Sequence, residues 1–90
     1  MALQFEEYLL HLTLHAAENY NFEVTSKRDG SYFRIKIDFT NTCYIVDKKL
    51  IESVEKELLN TYTDIAGFPK KNITIGTIYS RKIINFSFCK

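Results

Sequence analysis

The chain has little of the material that builds disulfide scaffolds, zinc sites or flexible linkers. Its 90 residues include two Cys, one Pro, three Gly and no Trp. Cys43 and Cys89 belong to no Cys-x-x-Cys or Cys/His spacing, so we expect two reduced thiols rather than a disulfide or a zinc site. With 46% apolar residues, the composition is that of an ordered globular protein. At this length we expect one domain, covering residues 1–90.

The apolar N-terminal segment lacks the features of a secretory signal or a membrane span. It runs from Met1 to Leu14 and carries Glu6 and Glu7 where a signal peptide would need Lys or Arg. It is also too short to cross a bilayer as a helix. We therefore expect a cytoplasmic protein with no membrane partner.

No group of residues has the pattern of a catalytic or cofactor site. The chain has no Gly-rich phosphate loop and no nucleophile next to a base in sequence. His11 and His15 have a spacing from which both could reach one metal ion on a helix. They lack the His-Glu-x-x-His motif, however, so they are only weak candidates for metal ligands. The favoured interpretation is that both histidines are exposed to solvent. We expect no enzymatic activity and no cofactor.

A first hairpin is predicted around Asp29-Gly30, a dipeptide that suits the two central positions of a type I′ turn. With these two residues as the loop, one side of the hairpin is almost entirely apolar. The predicted apolar pairs are Ser26–Phe33, Val24–Ile35 and Phe22–Ile37. The predicted outward pairs are Lys27–Tyr32, Thr25–Arg34 and Glu23–Lys36.

A second hairpin is predicted from the alternation of apolar residues between Ile73 and Phe88. Its loop is either Ser80-Arg81 or a longer segment, because neither residue suits a positive φ. The register predicts the inward pairs Ile73–Phe88, Ile75–Phe86 and Thr77–Ile84. The same register places Ile78 opposite Ile83 on the outward side.

Two helices are predicted from residues at helical spacing. The first covers Leu3 to Tyr20, with a core stripe of Phe5, Tyr8, Leu9, Leu12, Ala16 and Tyr20. A second apolar set on this helix, Leu3, Leu10 and Leu14, exceeds what one buried face requires, so we expect a homodimer through these residues. The second helix begins after Asp47, a good N-cap, and ends at Gly67. Its core stripe is Leu50, Ile51, Val54, Leu58, Tyr62 and Ile65.

The resulting order is helix, hairpin, helix, hairpin, or αββαββ. Each hairpin has one apolar face that it cannot bury alone, which favours an α+β two-layer sandwich. We expect an antiparallel sheet of four to five strands with both helices on one face. Residues 43–46 could add a short extra strand, and the strand order is left open.

The charges differ between the predicted hairpins and the predicted helices. Residues 21–46 and 68–90 carry nine Lys or Arg against three Asp or Glu, so we expect a basic open sheet face. Cations around exposed apolar residues favour a protein interface. The predicted partner-binding residues are Lys27, Tyr32, Arg34, Lys36, Ile78, Arg81 and Ile83.

The favoured functional hypothesis is a small non-catalytic protein that binds another protein through this face. An inhibitor, adaptor or immunity-type protein of a phage or mobile element has a suitable size, although that association rests on no motif. One alternative is nucleic-acid binding on the same face, with Tyr32 stacking on a base. Another is an acidic helical face that mimics phosphates and blocks a nucleic-acid-binding enzyme. Its residues would be Glu52, Glu55, Glu57 and Asp64.

Overall fold

The computed structural model describes residues 5–40 and 46–89 and has the predicted αββαββ order. The helices are α1 (Phe5–Tyr20) and α2 (Lys48–Asn60), and the strands are β1 (Glu23–Asp29), β2 (Tyr32–Asp38), β3 (Ile73–Ile78) and β4 (Ile83–Cys89). The four strands form one antiparallel sheet in the order β1-β2-β4-β3. The predicted α+β fold is confirmed, with β1 and β3 as the edge strands. Most of the segment suggested as an extra strand, 43–46, lies outside the described residues.

Both helices pack on the same face of the sheet. The inward side chains of the two central strands are buried with the inward side chains of α1 and α2 in a single core. Alternation in β2 and β4 accounts for this, since every second residue of each strand is Ile or Phe. The strand residues of the core include Phe33, Ile35, Ile37, Ile84, Phe86 and Phe88. No described helix covers the other face.

The register of the first hairpin differs from the prediction by two residues. The two loop residues are Gly30 and Ser31, and Asp29 is the last residue of β1. Gly30 has φ of 64°, whereas Ser31 does not have a positive φ, so the loop is a Gly-first turn rather than the predicted type I′ turn. A shift of two residues keeps every side chain on its predicted face but changes all the cross-strand neighbours.

The register of the second hairpin agrees with the prediction. Ile73 pairs with Phe88, Ile75 with Phe86 and Thr77 with Ile84. The loop is the longer alternative, Tyr79 to Lys82, which contains a short 3₁₀ turn. Lys82 closes it with φ of 58°.

The inward face of α1 agrees only in part with the predicted stripe. Its buried residues are Glu6, Leu9 and Thr13, of which only Leu9 belongs to the stripe, while Phe5 of the stripe is 37% exposed. The polar groups can be buried because each has a partner. The Thr13 hydroxyl hydrogen-bonds with the Tyr62 hydroxyl over 2.6 Å, and Glu6 pairs with Arg28 of β1. The remaining members of the predicted stripe, Tyr8, Leu12, Ala16 and Tyr20, are half-buried.

The predicted second helix is confirmed over most of its length. The Asp47 carboxylate accepts the Leu50 N–H over 2.9 Å as the N-cap, and Leu58 and Tyr62 are buried. A π-helical turn, Thr61–Ile65, follows α2. Because a π turn holds more residues than an α turn, it rotates the following side chains, and Ile65 is 66% exposed instead of joining the core.

Candidate functional site

The open face consists of the outward side chains of the four strands, on the side away from the helices. Cross-strand pairing arranges them in four rows in the order β1, β2, β4, β3. The rows are Asp29–Tyr32–Cys89, Lys27–Arg34–Ser87–Thr74, Thr25–Lys36–Asn85–Gly76 and Glu23–Asp38–Ile83–Ile78. The first row lies at the turn of the first hairpin.

Three cations, Lys27, Arg34 and Lys36, form a cation band on β1 and β2. Lys27 is directly opposite Arg34, at a position where Cβ atoms of antiparallel strands are about 4.5–5.5 Å apart. Arg34 Nη2 is 3.7 Å from Asp29 Oδ2, and both of these side chains are more than half exposed. Lys27 and Lys36 have no described carboxylate within salt-bridge distance. The register therefore brings like charges together on the open face.

Three carboxylates share the open face with the cation band. Glu23 is directly opposite Asp38 in the fourth row, and Asp29 lies at the other end. Hydrogen bonding by Thr40, supported by the nearby charge of Lys36, lowers the pKa of Asp38 below its ordinary value. The outward strand positions thus carry three positive and three negative groups, sorted into separate rows.

The expectation of a predominantly basic sheet face is therefore wrong for the strands themselves. The nine cations counted in residues 21–46 and 68–90 include Arg28, which faces the helices and pairs with Glu6. They also include four cations that lie in the connections before and after β3. These are Lys70, Lys71, Arg81 and Lys82.

An apolar corner, Ile78 and Ile83, adjoins the cation band. Ile78 is directly opposite Ile83, as predicted, and is 43% exposed. Arg81 is exposed in the turn that joins these two residues. The neighbouring Tyr79 is 40% exposed but lies on the helix side, because Lys48 Nζ of α2 is 5.4 Å from the centroid of its ring.

Tyr32 does not join the apolar corner, although all three predicted apolar residues lie on the open face. It occupies the first row, whereas Ile78 and Ile83 occupy the fourth. The six-residue separation along β2 corresponds to about 20 Å at the usual rise of a strand. Tyr32 cannot act in one compact anchor with the two isoleucines.

Small and polar side chains fill the middle of the open face. A Cβ atom added to Gly76 would meet no atom within 4 Å, so the surface of β3 is bare at this point. A shallow depression of about 190 Å³ lies beside the cation band. Its lining residues are Thr25, Ser26, Lys27, Arg34, Lys36 and Asn85.

The acidic side chains of α2 do not form one continuous surface. Glu55 accepts a hydrogen bond from the Thr77 hydroxyl of β3 over 2.9 Å. Glu57 accepts one over 2.5 Å from the Tyr20 hydroxyl of α1, which raises the pKa of that phenol. These two contacts lie on opposite flanks of α2. Glu52 is partly neutralised within the helix, because its Oε1 is 3.8 Å from Lys48 Nζ. The predicted phosphate-mimicking face is therefore divided; its fourth member, Asp64, is exposed in the π turn.

The weak metal candidates are two exposed histidines on α1. His15 Nδ1 is 3.9 Å from a carboxylate oxygen of Glu18, and His11 is exposed on the same helix. Within residues 5–40 and 46–89, no three His, Cys, Asp or Glu side chains converge as they would around a metal ion.

The residues predicted for dimer contact are on α1 or before it. Leu14 is exposed and Leu10 is half-buried, while Leu3 lies outside the described residues. Phe5, which is also exposed, contacts Phe68 with ring centroids 5.4 Å apart. The dimer stays a prediction.

Comparison with known proteins adds no functional information. The chain matches no protein-family model and no curated protein. None of the described helices has the length and apolarity needed to cross a membrane.

Proposed function

We propose that the protein is a non-catalytic, cytoplasmic binding protein whose open face recognises an acidic segment of another protein. The observation that carries this proposal is the direct opposition of Lys27 and Arg34, with Lys36 in the next row. Like charges directly opposite each other on a sheet are destabilising. Asp29 offsets part of that repulsion at Arg34, and a carboxylate from a partner would offset more of it at Lys27 and Lys36.

The apolar corner supplies the second element of a protein interface. Ile83 is the diagonal neighbour of Lys36 across β2 and β4, at a typical separation of about 7–8 Å. Buried apolar anchors surrounded by charged residues are the usual arrangement of energetically important interface positions. The cation band and the apolar corner therefore form a continuous contact surface.

A protein partner fits this surface better than a nucleic acid does. The phosphates of a strand crossing the fourth row would meet Glu23 and Asp38 side by side. Both side chains are carboxylates, so the strand's phosphates would be repelled there. A protein partner can instead place its own cations or apolar groups there.

The proposed mechanism is occupation of a partner's surface, as in an inhibitor or adaptor. Immunity-type proteins of phages and mobile elements act in this way. We assign the protein to that broad class by its size and by the cation band and apolar corner of its open face. The predicted homodimer through Leu3, Leu10 and Leu14 is retained as part of the proposal. Light scattering of the purified protein should give twice the chain mass, and Leu14→Glu should halve it.

Fluorescence anisotropy with a labelled peptide of alternating Glu and Leu tests the open face. We expect binding that weakens about tenfold or more in Arg34→Ala, the size of effect typical of a central interface residue. Lys56→Ala, which removes an exposed cation from α2, is the matched control and should leave affinity unchanged. A single-stranded oligothymidylate of the same charge serves as the competing ligand.

Two results would contradict the proposal. Equal affinity of the wild type, Arg34→Ala and Lys56→Ala for the peptide, or no affinity in any of them, would remove the open face as an acidic-protein site. Preference for the oligothymidylate, with affinity falling steeply as salt is raised, would support the nucleic-acid alternative instead.

A further inference from the structure

The edge strand β3 carries no charged residue. Its sequence from Ile73 to Ile78 is Ile-Thr-Ile-Gly-Thr-Ile, which is rich in β-branched residues. Natural proteins usually protect edge strands with charges, prolines or bulges, because the open edge of a sheet can pair with another chain. Such protection is missing along the whole of β3.

The backbone groups of β3 that point away from the sheet can be identified from the register. Phe39 N–H donates to the Lys82 carbonyl over 3.0 Å, in line with the pairing of β2 and β4. Residues of antiparallel strands alternate between pairs that exchange hydrogen bonds and pairs that do not. Phe39 and Lys82 are therefore a hydrogen-bonded pair, so every second residue of β4 from Ile83 directs its backbone groups to β3 instead of β2. In β3, the backbone N–H and C=O groups of Thr74, Gly76 and Ile78 consequently point toward β4.

Ile73, Ile75 and Thr77 consequently direct their backbone groups to the open edge. The Ile73 N–H is already bonded to the Lys70 carbonyl in the turn before β3. Among the described backbone hydrogen bonds in turns and loops, none involves the N–H or C=O of Ile75 or Thr77. The edge therefore offers the Ile73 carbonyl together with the N–H and C=O of Ile75 and Thr77.

The charges next to β3 indicate what this edge would accept. Lys70 and Lys71 precede the strand, and Arg81 and Lys82 follow it. In an antiparallel pair of two copies, the cations at the start of one β3 would approach those at the end of the other. Like-charge repulsion disfavours that arrangement, whereas an extended segment with acidic ends would complement both ends of the strand.

We propose that an extended segment of the partner, uncharged in its middle and acidic at its ends, adds to β3 as a fifth strand. Main-chain hydrogen bonds provide the affinity in this mode of binding, and alternate side chains provide the specificity. Gly76 leaves space on the outward side for a large residue of the added strand. The inference rests on the proposed function, because it assumes the same acidic protein partner.

The test uses a second labelled peptide, in which Val and Thr alternate between pairs of Glu. Thr77→Pro removes the outward N–H at a position where an edge strand tolerates proline. Thr77→Val keeps this N–H but loses the same hydroxyl bond to Glu55, so it is the matched control. Ser26→Pro is the equivalent change on the other edge, since the alternation directs the Ser26 N–H outward from β1. Circular dichroism checks that each variant is folded.

We expect the peptide to bind the wild type, Thr77→Val and Ser26→Pro, and Thr77→Pro to lose at least tenfold in affinity. Amide hydrogen exchange at Ile75 and Thr77 should slow on binding, while exchange at Gly76, already bonded to β4, should change little. Loss of binding in Ser26→Pro but not in Thr77→Pro would overturn the inference, as would no binding to any variant.

The two proposals can fail separately. If the Glu-Leu peptide binds in an Arg34-dependent manner while the Val-Thr peptide does not bind, the open-face function stands and the edge inference is wrong. If Thr77→Pro converts a wild-type dimer to a monomer, the occupant of β3 is a second copy, which also overturns the inference. Light scattering without peptide measures this outcome.

Discussion

The two edges of the sheet differ in charge, in contacts and in their freedom to pair. β1 has four charged residues among its seven, and Arg28 ties it to the buried Glu6 of α1. β3 has no charged residue among its six and one glycine. Charged side chains on an edge strand, including those that point inward, discourage pairing with another chain. The comparison indicates that β1 is the protected edge, and β3 is the edge at which we propose that a partner segment adds.

The same comparison extends to the open face. The like-charge pairs Lys27–Arg34 and Glu23–Asp38 both involve β1, whereas β3 contributes Thr74 and Ile78 to the same rows. The opposed like charges of the described open face thus lie at one side of the sheet. Four substitutions or titrations would break or sharpen this difference.

The largest effect is expected from the ion pair that anchors β1. Arg28→Met removes the cation from Glu6, whose side chain is 9% exposed, and should lower the free energy of unfolding by about 1–3 kcal/mol. Water around the exposed Arg28 keeps this below the loss for a fully buried pair. Urea denaturation measures the change. Adding Glu6→Met should recover most of it, because no buried charge is then left; a double variant as unstable as the sum of both single variants would contradict this explanation.

Gly76→Thr should stabilise β3. Threonine suits a strand and glycine does not, and the added Cβ atom meets no atom within 4 Å, so the free energy of unfolding should rise by about 0.5–1 kcal/mol. The substitution should leave the fold unchanged and should reduce affinity for peptides with a large residue opposite position 76. Destabilisation by Gly76→Thr would mean that this part of the edge is already occupied.

Lys27→Glu tests the cost of the cation band. It replaces a repulsive pair with an attractive one opposite Arg34, and we expect stabilisation of about 0.2–1 kcal/mol together with loss of binding to the Glu-Leu peptide. Thr74→Glu is the matched control, because it lies in the same row on β3 beside Ser87 and should leave stability unchanged. Destabilisation by Lys27→Glu in thermal or urea denaturation would show that Lys27 and Arg34 do not repel each other in the folded protein.

The smallest effect concerns Asp38, opposite Glu23. Its pKa is lower in the folded chain than its ordinary value, so its contribution to stability is present above the ordinary pKa and is lost as pH falls through the folded value. Stability measured between neutral and strongly acidic pH should therefore decline less in Asp38→Asn than in the wild type. Parallel curves for the two proteins would contradict this assignment.

Much of this architecture follows from alternation in the sequence, which correctly predicts the faces of all four strands. The register of the first hairpin could not be derived in the same way, because Asp29-Gly30 and Gly30-Ser31 are both acceptable loops. The difference determines whether Glu23 meets Lys36 or Asp38, and therefore whether the open face contains opposed like charges. Local turn preference is too weak to decide between loops that leave every side chain on the same face.

The sequence was also insufficient for α1 and for the strand order. Glu6 and Thr13 are buried because Arg28 and Tyr62, distant in sequence, supply their partners. Helical periodicity in apolar residues cannot detect such polar partners. Identifying β3 as an edge required the order β1-β2-β4-β3, since either hairpin could have provided the central strands.

The most direct test of β3 as the docking edge is nuclear magnetic resonance of the complex with the Val-Thr peptide, recording contacts between the two backbones. We expect contacts from the peptide backbone to Ile73, Ile75 and Thr77, with none to Val24, Ser26 or Arg28. Backbone contacts to β1, or contacts only to side chains of the open face, would contradict it.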